Sequence, residues 1–527
     1  MKRRDFARSP INSHPRRGVV LVLVLVIVTL LSYSVYSFTE RTLLEYTAVH
    51  SSHDHIQRRE LAASAVELSK VAIHDPQTTG LHSGPVRLPK FSERGCSAAV
   101  IRRFPERGKP ALFGLQDESA RLNVNALPLE SSDRDHSRDR LLVLPGMTVK
   151  IADAILDWMD SDDEPSEFGA ESSWYTSQNP PYRPRQSRFE HLRELLLVRG
   201  ITSDLLFGED QNANGLLDPN EDDGSVTMPP DDENGILNRG WSEFLTLVSR
   251  EGVLDADGIV KINLNQQDLA ELYDELLPLL GPEMARYIVA MRMVEAKWPD
   301  DPSPDKVPGQ PERQQEKAKL NLQNQPEFGS DDTDLNEVRG GIVLSSRPPQ
   351  RIRSLVHLFG GQLRITIDEE DQILKSPWSS DPGVLSRQLP VVDQLLTTTE
   401  MTAIEGRINV NQASETVLNS IPPLTPAAAR AIWRQQPAPE ETPAEYDSVA
   451  WLVTRGILAP SDLRQIAEYV TVKGDVQGGI ALGWYSDAEA VAAVQFVLDC
   501  SGFRHRLLLH RDLQVISRNR CGVNHHR

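Results

Sequence analysis

From Val19 to Asp75 the sequence contains neither glycine nor proline. A stretch of that length without either breaker reads as one continuous helix, roughly 85 Å long at ~1.5 Å per residue. Its two halves differ. Val19 to Leu31 is apolar apart from Thr29, and the run continues through Ser32, Tyr33, Ser34, Val35, Tyr36 and Ser37 to Phe38. Roughly 20 residues of this kind suffice for one membrane span. The second half is amphipathic: Leu61, Ala65, Leu68 and Ala72 recur at helical spacing, while Arg58, Glu60, Glu67 and Lys70 are polar. Pro76 and Gly80 then read as its end. The expectation is a helix that starts in the bilayer and continues outside it as a packed stalk. Before it stand Lys2, Arg3, Arg4, Arg8, Arg16 and Arg17 against Asp5 alone. A basic flank stays cytoplasmic, so the bulk of the chain is expected across the membrane. A plain signal anchor and a cleaved secretory signal are the competing readings; Ser32, Ser34 and Ser37 are small, but no A-x-A pattern accompanies them.

The remainder is ordinary globular protein with an acidic balance. The chain carries a net charge of −19, the wrong sign for a protein whose main partner is a phosphate backbone. Cys96, Cys500 and Cys521 are too few and too scattered for a disulfide framework or a zinc site. Cys500 and Cys521 could pair in an oxidising compartment.

Strand-like segments stand at both ends of this remainder. Val86 to Leu88, Ala98 to Arg102 and Ala111 to Leu115 come first; Gly479 to Trp484, Ala492 to Leu498 and His505 to His510 come last. Between about 117 and 472 the pattern is mainly helical. The fold class expected is therefore α+β: a small antiparallel sheet interrupted by a large, mostly helical insertion.

The insertion repeats itself. Arg121-Leu122-Asn123-Val124-Asn125, Lys261-Ile262-Asn263-Leu264-Asn265 and Arg407-Ile408-Asn409-Val410-Asn411 open three copies. Each is followed by a leucine-rich segment that reads as a helix: Phe189 to Gly200, Ile352 to Gly360 and Asp447 to Gly456. The second Asn of a copy suits a helix N-cap. A DNA-binding alternative rests on the likeness of 408–430 to helix-hairpin-helix units. The turn there, Ile421-Pro422-Pro423-Leu424-Thr425, has no glycine, and its two prolines remove N–H donors that a phosphate would need.

One local motif is specific. The twelve residues from Asp210 to Glu221 match a calcium-binding loop, with oxygen-bearing Asp210, Asn212, Asn214, Asp218 and Glu221 at positions 1, 3, 5, 9 and 12. Gly215 takes the sharp turn at position 6. Leu216 would lend its carbonyl at position 7, and Leu217 reads as the apolar anchor. A hard Ca²⁺ ion wants six to eight oxygens, which this loop can supply. A structural calcium is the expectation. A second acidic turn, Asp231 to Gly235, lacks the spacing. The acids Asp157, Asp160, Asp162, Asp163 and Glu164 read as a solvated helix end rather than a catalytic or second metal site. His53 and His55 lie two apart on a helix and so face apart. No phosphate loop, nucleophile elbow or metalloprotease helix occurs, and no enzyme activity is expected.

The N-terminus resembles a type IV pilin-like precursor, in which a short basic leader ends in glycine before an apolar stalk helix. Arg16-Arg17-Gly18 fits the leader end, and the resemblance implies cleavage between Gly18 and Val19. Most pilins carry Glu at the fifth mature position; here it is Leu23, a departure shared with the K subunit of type II secretion systems. Further stretches resemble that family: Asp117 to Asn123, Ala152 to Asp160, Gly169-Ala170-Glu171 with Tyr175, Glu194 to Ile201, Val497 to Asp499 and Arg511 to Leu513. No family likeness covers 300–350 or 435–446, which read as loops. The resemblance implies a leader (1–18), transmembrane helix (19–38), stalk (39–75), first sheet part (76–116), three helical units resembling helix-hairpin-helix or SAM-like modules (117–255, 256–400, 401–472) and closing strands (473–527). It implies a methylated minor pseudopilin at the tip of a periplasmic pseudopilus. The partners expected are the I and J subunits, a prepilin peptidase and the inner membrane, and not nucleic acid. A tip pilin of an adhesion or DNA-uptake machine is the alternative.

Overall fold

In a computed structural model the described residues are 17–74, 81, 84–88, 95–102, 113–130, 132–228, 230–255, 258–300, 337–345, 348–368, 370–438, 443–486, 490–513 and 516–517. Residues 1–16 of the expected leader, Cys521 and most of the 300–350 segment lie outside them.

The breaker-free segment forms one helix, α1 (Arg17–His74). Its first half is apolar and exposed, from Val20 through Phe38, and is the one helix among the described residues long and apolar enough to cross a membrane. Its last turns are packed. Ala62, Ala65, Val66 and Ala72 share a core with Ala98, Val100, Ala481, Val494, Phe496 and Leu498. These small helix residues let α1 lie close to the sheet. The approach is tightest at Gly483, where a Cβ would stand 2.4 Å from the backbone of Arg58 and Ala62. Any side chain there would push the helix away. Tyr485 to Gln57 and Arg59 to Asp512 add polar contacts along the seam.

The sheet beneath is antiparallel. Its strands are β1 (Val86–Arg87), β2 (Cys96–Ile101), β3 (Gln116–Asp117), β4 (Val476–Tyr485), β5 (Ala490–Asp499), β6 (Arg506–Asp512) and β7 (Ile516–Ser517), the last paired with the start of β5. The order is β1-β2-β4-β5-β6, with β3 also paired to β4. The central strands β2, β4 and β5 are buried almost throughout, because α1 covers one face and a second apolar layer, including Ala99, Ile101, Ile480, Leu482 and Trp484, lies on the other. Strands from both ends of the chain thus build one sheet. The long 118–475 stretch is inserted between β3 and β4.

That insertion has a continuous core of its own, running from Leu122 to Val470. Three parallel two-residue ladders organise it: Leu122-Asn123 with Leu245-Thr246, Ile262-Asn263 with Leu396-Thr397, and Ile408-Asn409 with Val470-Thr471. Each Asn-x-Asn signature is one strand of such a ladder. The first Asn of each signature accepts from the amide two residues on, at 2.9–3.0 Å.

The second Asn is not a helix cap. The helices that follow are capped by Asp268 and Ser414 instead. Asn125 donates to the carbonyls of Phe189 and Leu247 and accepts from the Phe189 amide. Asn265 does the same with Ile352 and Thr398. Asn411 donates to Tyr446. Each Asn therefore ties the opening signature to the start of its leucine-rich segment. An amide side chain, both donor and acceptor, can imitate a strand neighbour where no strand is available. The leucine-rich segments are also shorter than their pattern suggests. The first two contain 3-10 turns, Leu192–Leu197 and Leu355–Leu358, and the third a single α-turn, Trp451–Thr454.

Candidate metal centre

The 210–221 loop follows a five-residue helix, Ser203–Phe207, and ends in a 3-10 turn, Pro219–Glu221. Its own side chains shape it. Asp210, 1% exposed, accepts the amides of Asn214 and Gly215 at 2.9 and 3.0 Å. Asn212 and Asn214 both donate to Asp218 Oδ2 at 2.8 Å. Glu221 reaches back to accept from the Asp218 amide at 3.0 Å. Gly215 has φ +74°, the left-handed region that glycine occupies without strain. Five oxygen-bearing side chains are thereby gathered into one small loop. Burial pushes Glu221 up to about 7, with Asp210, Asp218 and Glu209 adding repulsion. Burial and the acids Asp232, Asp231 and Asp222 also raise Glu209. The donor set is all oxygen, with three carboxylates in excess of any cation of the loop itself, and this fits a hard divalent ion.

The loop is docked on the sheet. Leu216 joins the apolar layer with Ile101, Ile480, Leu482 and Trp484. The apolar anchor is therefore Leu216, 8% exposed, and not Leu217, which is only half-buried. Arg511 of β6 donates to the carbonyls of Asn212 and Ala213 at 2.6 and 3.2 Å. Arg239 holds the Gly215 carbonyl at 3.2 Å. No local pattern announces Arg511, which lies almost three hundred residues downstream.

A second acidic group is assembled from two elements. Helix α2 (Val149–Met159) presents Asp153 and Asp157, and Asp160 follows as its C-cap. The spacing of four and three puts all three acids on one face. On the preceding helix, Arg134 pairs with Asp157 and Asp160, and Arg138 with Asp153. Glu171, just before α3 (Ser172–Thr176), brings a further carboxylate. One oxygen each of Asp157, Asp160 and Glu171 lie within 4.8 Å of one another. The solvated helix end is thus only partly correct. Asp162, Asp163 and Glu164 are exposed, but Asp157 and Asp160 are buried. Their burial follows from the apolar helix that carries them. Burial raises both, against the Arg134 charge. Glu171 is pushed up to about 8 by burial and then by the neighbouring acids. Sequence reasoning missed its place in this group, and the available signal was three acids at helical spacing on an otherwise apolar helix.

At the N-terminus, Gly18 and Val19 fall in the first turn of α1. Leu23 is 58% exposed on the same helix. Cys96 and Cys500 are buried and form no disulfide among the described residues; Cys521, the expected partner of Cys500, lies outside them.

A long helix, exposed along its apolar half and packed on an antiparallel sheet along the other, with a largely helical insertion between strands, makes this an α+β protein. Residues 120–207 match the family model described as type II secretion system (T2SS), protein K. Type II secretion system protein K of Klebsiella pneumoniae is 24% identical over 209 residues, 37% of this chain and 60% of that protein. The protein of the same name from Pectobacterium carotovorum subsp. carotovorum is 29% identical over 205 residues, 36% of this chain and 60% of the relative. The putative protein K of Escherichia coli K12 is 28% identical over 210 residues, with 37% and 60% covered. The chain thus spans about 60% of the length of these curated relatives. Among solved structures, the crystal structure of the GspK-GspI-GspJ complex from enterotoxigenic Escherichia coli aligns over 88% of this chain and 99% of that one, at TM-score 0.37 and 11% identity.

Proposed function

We propose that this chain is the K-like minor pseudopilin of a type II secretion system, acting at the pseudopilus tip in assembly and protein export. The observation that carries this reading is the two-natured helix α1. Its apolar half is free to cross the inner membrane, and its other half is built into the sheet. A helix of that kind tethers a folded head and offers itself to neighbouring helices of a filament.

In this reading the leader is removed between Gly18 and Val19, the new N-terminus is methylated, and the head lies in the periplasm. Leu23 supplies no carboxylate to neutralise the terminal amine of an adjoining subunit, and the bulky helical insertion blocks addition above it. Such a subunit would cap the filament with I and J beneath. The three units of the insertion resemble helix-hairpin-helix modules, here serving as a structural mass. The role needs no catalysis.

Calcium has a structural part in the proposal. Asp210, Asn212, Asn214, Asp218, Glu221 and the Leu216 carbonyl would hold it. The ion would neutralise a loop whose acids repel one another and which Leu216 and Arg511 dock on the sheet. It would thereby fasten the insertion to the head.

The test is mass spectrometry of the membrane-extracted protein together with co-purification of I and J from a secreting cell. A peptide starting at methylated Val19 and recovery of both subunits are expected. An uncut Met1, or a start near Ser37, overturns the pilin reading. Salt-sensitive DNA binding without I and J points to the uptake or adhesion machine.

A further inference from the structure

We infer that the cleft between the second repeat and the β5–β6 turn docks an acidic, apolar-flanked segment of a partner protein, whose carboxylate completes the second ladder. The cleft encloses about 910 Å³, with residues 250–266 and 397–402 on one side and 499–506 on the other. The three ladders supply the first argument, because they are not finished alike. In the first, Asn123 donates its side-chain amide to Ser249 Oγ at 3.1 Å, and the Thr246 hydroxyl donates to the Glu118 carboxylate at 2.6 Å. In the third, Asn409 donates to the Asp117 carboxylate at 2.8 Å, and the Thr471 hydroxyl to the Lys473 carbonyl at 2.8 Å. Each of these ladders thus carries a buried carboxylate. The equivalent pair of the second ladder, Asn263 and Thr397, lines the cleft instead. Asn263 accepts from the Asn265 amide at 2.9 Å and Thr397 from that of Thr399 at 3.4 Å. Neither side chain has an acceptor for its own hydrogens among the described residues. Asn123 and Asn409 are buried, whereas Asn263 is only half-buried.

The charges and the rim decide what fits there. Arg504 and Arg506 line the cleft, are exposed, and have no ion-pair or hydrogen-bond partner among the described residues. The other charges of the cleft do not meet them. Asp499 is held by Arg250 and Ser501, Lys261 pairs with Asp393 at 3.7 Å, and Glu400 stands exposed on the 397–402 side. Two spare guanidinium groups beside spare neutral donors suit a carboxylate, which accepts charge-assisted bonds from the first and ordinary ones from the second. In a chain of net charge −19 such a local excess of cation is a point of attraction for an acidic partner. Val260, Met401 and Phe503 border the same cleft at 58%, 71% and 77% exposure. A small carboxylate would leave these side chains in water. A peptide with apolar residues on either side of its acid covers them, and Met401 can adapt to what lies against it. The bound segment would join the second repeat to the closing strands of the sheet.

The experiment uses the full chain, immobilised in detergent, and two libraries of short end-capped peptides. One library has a central glutamate and the other a central glutamine; the flanking positions are drawn from alanine, valine, leucine, methionine and phenylalanine. Retained peptides are quantified by mass spectrometry. The glutamate library should be retained about tenfold over the glutamine library. Partition into micelles favours the glutamine library and cannot imitate this result. Arg504→Ser combined with Arg506→Ser should remove the excess. So should Asn263→Asp, which keeps the acceptor for the Asn265 amide but places a negative charge where the carboxylate belongs. Arg430→Ser combined with Arg455→Ser removes the same charge outside the cleft and should leave the excess intact. Equal retention of the two libraries overturns the proposal, and so does an excess that both arginine pairs remove alike. Citrate binding about tenfold tighter than the best retained peptide, read by calorimetry and lost with Arg504 and Arg506, would make this a small-molecule site and overturn peptide docking. No readout depends on cleavage at Gly18 or on the I and J subunits, so failure here and failure of the pseudopilin reading are separate outcomes.

Discussion

The 210–221 loop and the 157–171 cluster are both knots of carboxylates, but they are built in opposite ways. The loop is contiguous, and its acids are occupied by the loop's own amides: Asp210 takes two, and Glu221 takes that of Asp218. The cluster is tertiary, and its last member, Glu171, takes none. A contiguous site can be organised before any ion arrives. An assembled one holds its charges together only because the surrounding core has already folded. A third buried carboxylate, Asp117, marks the other extreme. It accepts from Ser119, Gly474 and Asn409, joining the sheet to the third repeat without any ion.

The largest expected effect concerns the loop. An ion at ~1,000 times its Kd stabilises a fold by about 4 kcal/mol. Chelation should therefore lower the melting temperature of wild type clearly, and Glu221→Gln should remove most of that response. A full chelator response in Glu221→Gln would mean that the loop is organised by its amides alone. Next comes Arg134→Met. Removing one partner of a buried pair typically costs about 3–5 kcal/mol, so metal-free protein should lose about 3 kcal/mol by urea unfolding. A loss under about 1 kcal/mol would put the Arg134 pairs on the footing of an exposed surface salt bridge.

The smallest effect tests Asp117. Burial raises it from 3.8 to about 6, against its three donors. Folding then takes up a proton between those values, so this group's contribution to stability falls as pH rises from 3.8 to about 6 and is level above. Asp117→Asn should flatten that slope and cost about 2 kcal/mol at pH 7 by leaving a buried donor unpaired. Chelator should change neither outcome. Urea unfolding at pH 4, 5, 6 and 7 checks this.

These differences explain what could be read from the residues alone. The long helix was legible because glycine and proline act locally, and the face of Leu61, Ala65 and Ala72 is buried as its spacing demands. Most strands at both ends were legible from their apolar runs, but Ala111 to Leu115 was not: 111 and 112 lie outside the described residues, Phe113 makes a single bridge to Ile101, and the strand follows at Gln116–Asp117. The repeat was visible as three Asn-x-Asn signatures, but its physical meaning was not. A cap is a local bond, and local reasoning chose it; the bond actually made joins Asn265 to Ile352, far along the chain. The five acidic or amide positions of the loop were visible for being contiguous. Leu216 as anchor, Arg511 as clamp and Glu171 as a buried acid all depend on which surface comes to lie beside them, and sequence spacing carries no record of that.

The sheet has one more consequence, which concerns time. Strand β2 pairs along its full length with β4, and the whole helical insertion separates them in the chain. As the chain emerges, α1 and β2 come first, yet β2 has no partner in the sheet's centre until hundreds of further residues have followed. Meanwhile an apolar strand stands open along one edge, a template for wrong pairing. The insertion has a core of its own and can condense during that wait, bringing the two halves of the sheet within reach through the Asp117 contact. The sheet cannot be completed before the whole insertion has been made, and a chain interrupted anywhere inside the insertion would hold the long helix with no finished sheet to rest on.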